Sequence, residues 1–179
     1  MVKFGRINSL TNANMIDDKW TSFKVTGDYN IDIRSLYEAW ATTQGLEQWF
    51  LREANFYTIP RRAREPKEFI MKEDTYEWYW HGYDDNTVEK GQILEANGTD
   101  FLKFTFTGGS IVSVEIYSRN GVSVVELTQE NIPIEEDPSK NLYVQCQVGW
   151  TFYMTNLKSL IEGGVDLRNK KLEVSSNFK

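Results

Sequence analysis

The sequence predicts an α+β fold: an antiparallel sheet of about six to seven strands, covered by one long C-terminal helix, with two short helices after the first strand. Three observations carry this. Strand-like runs follow one another from Thr75 to Asn131 with only tight turns between them. Each run keeps its apolar residues on one parity, so one sheet face is wet and the other covered. A long segment with three- and four-residue apolar spacing then follows and ends at Gly163-Gly164.

Residues Met1 to Asp18 are polar and aperiodic and read as an extension, so the predicted domain spans 19–168, with 169–179 as a tail. Alternation from Trp20 predicts a first strand over Lys19 to Tyr29. Asp32 suits a helix N-cap, with Ile33, Leu36, Tyr37 and Trp40 at helical spacing behind it. A break near Thr42 to Gly45 precedes a second helix carrying Leu46, Trp49 and Phe50. Arg52 to Asp74 reads as a short strand around Asn55 to Ile59, then a mobile loop with Pro60 and Pro66 among charges.

The five later strands are predicted over Thr75 to Gly82, Thr87 to Ala96, Phe101 to Phe106, Ile111 to Arg119 and Val122 to Asn131. Their separators include Asn97-Gly98 and Asn120-Gly121, the strongest short hairpin signal. Leu102, Phe104 and Phe106 share a face, as do Val112, Val114 and Ile116, and Val125 with Leu127. Beyond the acidic loop Glu135-Glu136-Asp137-Pro138, Ser139 is placed to cap a helix running to Glu162. Its buried stripe is Leu142, Cys146, Gly149, Trp150, Tyr153, Leu157, Leu160 and Ile161.

A chain of 179 residues buries roughly 70% of its unfolded surface and needs no metal or disulfide to stay folded. Cys146, the only cysteine, permits no internal disulfide and no cysteine-rich metal site. With 20 Lys+Arg against 26 Asp+Glu, the net charge of −6 disfavours nucleic acid and anionic lipid as partners. The basic stretch Arg61-Arg62-Ala63-Arg64 is diluted by Glu65 and Glu68 and reads as a solvated loop rather than a phosphate site. No run of apolar residues is long enough to span a membrane or act as a signal peptide, so the expected location is cytoplasmic.

No Gly-rich phosphate loop, nucleophile elbow or His-Glu-x-x-His helix is present, and His81 is the only histidine. No metal and no cofactor are therefore expected. His81 and Glu77 share one strand face and form the one candidate acid–base pair, without a nucleophile in view. Aromatic residues make up 14% of the chain, which suits an apolar cavity as well as a core. Trp78 and Trp80 share a strand face with Tyr76, and the helix stretch Gly149 to Leu157 is rich in rings.

The segment Leu36-Tyr37-Glu38-Ala39-Trp40-Ala41-Thr42-Thr43-Gln44-Gly45-Leu46-Glu47-Gln48-Trp49-Phe50 resembles the opening of the START-related SRPBCC superfamily, in the branch named after the activator of the heat-shock ATPase. The stretch from Gly149-Trp150-Thr151-Phe152-Tyr153 to Gly163-Gly164 is similar to that branch's C-terminal helix. The resemblance covers roughly Trp20 to Arg168 and implies a helix-grip fold, a curved sheet wrapped around the long helix with a cavity between. Relatives include lipid and sterol carriers, plant hormone-binding proteins, polyketide cyclases and co-chaperones, so the fold alone does not fix function. Eukaryotic co-chaperones of this branch carry a separate chaperone-binding domain, and the residues before Trp20 are too few to form one.

The resulting expectation is non-catalytic binding of a hydrophobic or amphipathic small molecule between sheet and helix. Its expected lining is Trp78, Trp80, Phe104, Phe106, Val114, Trp150, Tyr153, Met154 and Leu157, with Trp49 near the mouth. The alternative is a protein-interaction module with a closed cavity and a protein partner.

Overall fold

The computed structural model describes residues 20–134 and 140–171. The expected N-terminal extension, the acidic loop, the Ser139 cap and most of the expected tail lie outside the described residues. The elements run β1 (Phe23–Tyr29), α1 (Ile33–Ala41), α2 (Thr43–Trp49), β2 (Glu53–Tyr57), β3 (Thr75–Tyr79), β4 (Val88–Ala96), β5 (Phe101–Phe106), β6 (Ser110–Arg119), β7 (Val122–Glu130) and α3 (Leu142–Ile161). All seven strands form one antiparallel sheet in the order β1-β7-β6-β5-β4-β3-β2, the helix-grip architecture. Among the described residues no helix is long and apolar enough to cross a membrane.

Local chemistry sets the boundaries. Asp32 caps α1 by accepting from the Ser35 backbone N–H at 2.9 Å. Thr42 makes the break between α1 and α2: its hydroxyl donates to the Glu38 carbonyl at 2.8 Å and accepts from the Gly45 N–H at 2.9 Å. One residue thus closes one helix and opens the next. Asn120 and Gly121 both have positive φ (54° and 81°), the primed turn whose twist matches the strands it joins. The Asn97 side chain accepts from the N–H groups of Thr99, Asp100 and Phe101, each at 3.0 Å, and holds the β4–β5 turn. Asn141 caps α3 by accepting from the Val144 N–H at 3.1 Å.

The inner sheet face and α3 share one core. Val112, Val114, Ile116, Val125, Leu127, Leu102, Phe104, Tyr76 and Trp78 are buried on the parities read from the sequence. From α3, Cys146, Trp150, Met154 and Leu157 project into the same core. Gly91 faces Tyr76 across the β3–β4 ladder, and a Cβ there would lie 2.5 Å from the Tyr76 hydroxyl oxygen. The missing side chain at position 91 lets the phenol cross to the Thr105 carbonyl, 2.6 Å away.

Two buried polar side chains fix α3 at its C-terminal end. Asn156, fully buried, donates from its amide to the Trp49 carbonyl and accepts from the Leu167 N–H, both at 2.7 Å. Arg168 donates to the carbonyls of Glu47, Gln48 and Leu51 at the end of α2, where helix carbonyls lack partners and a cation is favoured. Asp166 pairs with Arg168, whose hydrogen bonds hold the Asp166 carboxyl far below the usual range.

The expectation of a mobile loop after β2 is corrected. The Arg64 side chain is buried and pairs with buried Asp74 and with Glu68, so the segment is tied down at its middle. Arg62 reaches Glu68 through two hydrogen bonds of 2.7 and 2.9 Å, and Arg61 lies 3.8 Å over the Tyr57 ring. The three arginines are engaged within the chain, which accounts for charges that resemble a basic patch in the sequence.

Two outcomes are expected. Asn156→Ala removes the side-chain partner of the buried Trp49 carbonyl and of the Leu167 N–H and lowers stability by about 1–3 kcal/mol, seen as a lower urea midpoint; an unchanged midpoint contradicts the clamp. The Glu68 carboxyl is held down to about 2, first by its hydrogen bonds from Arg62. A depressed acid of this kind adds stability above its unfolded value, and the contribution is lost as pH falls through about 2. A carbon-13 titration of Glu68 therefore has its midpoint near 2, and Arg62→Ala moves it back toward the ordinary carboxylate range.

Candidate functional site

Where β3 ends, the chain runs on through Trp80 and His81 to Tyr83 before returning in β4. Nearby, β5 ends at Phe106 and turns through Thr107–Gly109, and the first half of α3 passes above both ends. These segments enclose a cleft of about 350 Å³. Its apolar wall is Phe50, Trp80, Phe106, Leu142, Trp150 and Tyr153, and its polar groups come from Tyr83, Thr87, Glu89, Thr107, Gln145 and Cys146.

Phe50 is the centre of the ring system. It stacks on Trp49 (5.3 Å) and meets Trp150 (5.1 Å), Tyr153 (4.8 Å), Trp78 (5.6 Å) and Trp80 (6.2 Å). Phe106 closes the circle at 5.3 Å from Trp150. Most of these pairs are edge-on or tilted, the arrangement that ring quadrupoles favour.

A buried polar chain holds this wall in place. The Trp150 indole donates to the Gln129 side-chain oxygen at 2.9 Å, and the Gln129 amide donates to the Ser110 hydroxyl at 2.9 Å. Ser110 in turn donates to the Thr107 carbonyl at 2.8 Å, on the cleft rim. Gln129 is fully buried, so its two bonds are not exchanged for water. The indole N–H groups of Trp40 and Trp78 are buried without a hydrogen-bond partner among the described residues.

Glu89 pairs with Trp78 across the β3–β4 ladder and therefore lies on the same concave side. Burial pushes its carboxyl up, against a hydrogen bond with Thr107 that pulls the other way. Burial likewise pushes up the Cys146 thiol, and it pushes the Tyr153 phenol up to about 12. At neutral pH both remain protonated.

The ten sequence-derived lining residues separate into three groups. Trp80, Phe106, Trp150 and Tyr153 come together on the cleft. Trp78, Phe104, Val114 and Met154 are packed behind it in the core. Trp49 and Leu157 border a different cavity, of about 480 Å³, between α1, α2 and the end of α3. Trp49 is not at the cleft mouth: α2 ends there, its indole donates to the Ala39 carbonyl at 2.9 Å, and the next residue, Phe50, faces the cleft instead. The Glu77–His81 pair is not formed. Glu77 accepts from Lys90 at 3.1 Å, while His81 is pushed down by burial and then by the charges of Arg168 and Lys170.

Phe50, Tyr83 and Glu89 are cleft residues that sequence reading missed. Glu89 was accessible by counting back from Ile93 through Gly91 on one parity. Neighbouring rings at 49 and 50 both satisfy helical spacing, and only the cap geometry separates them. Among the described residues no group of His, Cys, Asp and Glu is arranged to hold a metal ion.

Among solved structures the chain is similar to a protein from Staphylococcus saprophyticus, with a TM-score of 0.63 and 14% identity over 82% of this chain and 96% of that one. It is also similar to the Aha1 dimer from Colwellia psychrerythraea (TM-score 0.60, 13% identity, 80% and 97%). An HSP90 activator from Plasmodium falciparum is a third (TM-score 0.57, 17% identity, 80% and 96%). At these identities the likeness shows the fold. No curated protein matches the chain. The family profile described as Activator of Hsp90 ATPase homolog 1-like protein matches residues 30–162, from the approach to α1 through the end of α3, and the chain belongs to that family.

Proposed function

We propose that this protein binds a hydrophobic or amphipathic small molecule, without chemical conversion, in the cleft beneath the first half of α3. The observation that carries the reading is an unfilled volume of about 350 Å³ walled by aromatic rings that the buried Gln129 chain holds in position. Ligand sites are commonly clefts of this size with apolar walls and few polar groups. Gly149 lines the same volume, and a Cβ placed on it would meet no atom within 4 Å. Burying roughly 300 Å² of apolar ligand surface there is worth about 7 kcal/mol before the costs of association.

Catalysis has less support. The Cys146 thiol is raised by burial, which disfavours the reactive thiolate, and His81 stands with Arg168 and Lys170 rather than with a nucleophile. A protein contact is the second reading. It is favoured by Val144, Val148 and Phe152, which form an exposed apolar stripe at four-residue spacing on the outer face of α3.

Native mass spectrometry of freshly purified protein is expected to show a stoichiometric small-molecule adduct that organic extraction removes. Gly149→Ala is expected to keep that adduct and to raise stability by about 0.5–1 kcal/mol, because alanine suits a helix interior better than glycine. Gly149→Leu is expected to remain folded, fill the cleft and lose the adduct. Full binding by the leucine variant, or a protein free of any adduct and unshifted in melting temperature by a panel of apolar compounds, overturns the reading.

A further inference from the structure

Among the described residues Glu89 is the only charged side chain that lines the cleft. Its carboxyl responds to burial and to the Thr107 hydroxyl, and among the described residues no lysine, arginine or histidine acts on it. The groups around it are the phenol of Tyr76 from β3, the thiol of Cys146 from α3, and the hydroxyls of Tyr83, Thr107 and Tyr153 on the cleft wall. None of these carries a positive charge at neutral pH. Among the described residues this partly buried carboxylate beside Trp80, Phe106 and Trp150 has no cation of its own, and burial disfavours its charged form.

From this arrangement we propose that the cleft selects an organic cation, an amphipathic amine or quaternary ammonium whose charged head is held by Glu89 and the surrounding ring faces. The inference rests on the reading of the cleft as a ligand site. Each ligand class meets the site differently. An anion is repelled by Glu89 and finds no counter-charge on the wall. A neutral apolar body covers the rings but strips water from the carboxyl and returns nothing. An ammonium ion supplies the missing counter-charge and is attracted by the negative faces of indole and phenyl rings. The net charge of −6 on the chain adds a field that favours the approach of a cation.

The pH dependence follows in sign. Burial raises the Glu89 carboxyl in the free protein, whereas a bound cation favours its ionised form. Affinity for a cation is therefore full above the raised value of the free protein and weakens as pH falls through it. A quaternary ammonium has no proton of its own to lose, so the protein alone sets this dependence.

Phenyltrimethylammonium and its neutral isostere tert-butylbenzene differ in charge and scarcely in shape. Titration calorimetry at pH 8, with indole fluorescence as a second readout, is expected to show the ammonium bound roughly tenfold more tightly than the isostere. Glu89→Gln, checked by its melting curve, is expected to cut that preference to the remainder that the ring faces supply and to remove the weakening at acid pH. Equal affinity of the native protein for the two probes, or a preference that Glu89→Gln leaves undiminished, overturns the inference. If both probes bind equally and Gly149→Leu blocks both, the cleft stands as a ligand site and the cation selectivity falls. If neither probe binds, both fall.

Discussion

The hydrogen bond from the Trp150 indole to Gln129 sets the height at which α3 crosses the sheet. Gln129 sits near the end of β7, fully buried, and its other amide bond to Ser110 ties it to the start of β6. A helix resting on apolar contacts alone could slide toward the sheet and close the space beneath it, because dispersion attraction has no direction. A buried, fully paired amide resists that movement, since displacing it would leave two polar groups unpaired. At the other end, Asn156 and Arg168 tie the helix and the following segment to the end of α2. The long helix is thus pinned by polar bonds at Trp150 and Asn156, and between them the Tyr29 hydroxyl donates to the Met154 carbonyl at 3.2 Å.

The cleft owes its room on the helix side to a missing side chain. On the helix, Gly149 contributes no side chain, and on the sheet Gly91 makes room for Tyr76, which turns toward the Thr105 carbonyl. Large rings then stand around the gap without filling it. Phe50 meets five rings, of which Trp80, Trp150 and Tyr153 stand on the cleft, and it reaches that position because α2 ends one residue earlier. The core proper lies deeper, where Trp78, Phe104 and Val114 interlock. The energetics of folding and the space for a ligand therefore belong to different layers of the same aromatic cluster, and a change in one need not abolish the other.

Most of the fold was legible in the sequence because its signals are local. Alternation placed Val112, Val114 and Ile116 on the inner face, Asn120-Gly121 marked a two-residue turn, and Asp32 marked a helix start. The cleft was legible only in part. Parity correctly puts Trp78 and Trp80 on one face, but their depths differ: Trp78 lies within β3 under Phe50 and Phe104, while Trp80 lies beyond the strand end, where the sheet opens. Depth depends on which element covers a residue, and that is a long-range property. The loop after β2 was misread for a related reason. Arg64 and Asp74 are ten residues apart with no periodic relation, so their buried pairing leaves no local trace.

The most direct test of the account is a proton–nitrogen spectrum of the six tryptophan indoles during titration with an aromatic amphiphile. The account predicts that the indole signals of Trp80 and Trp150, on the cleft wall, shift in saturable fashion, while exposed Trp20 and core Trp49 stay in place. Shifts confined to Trp20, or spread evenly over all six with no saturation, would contradict it.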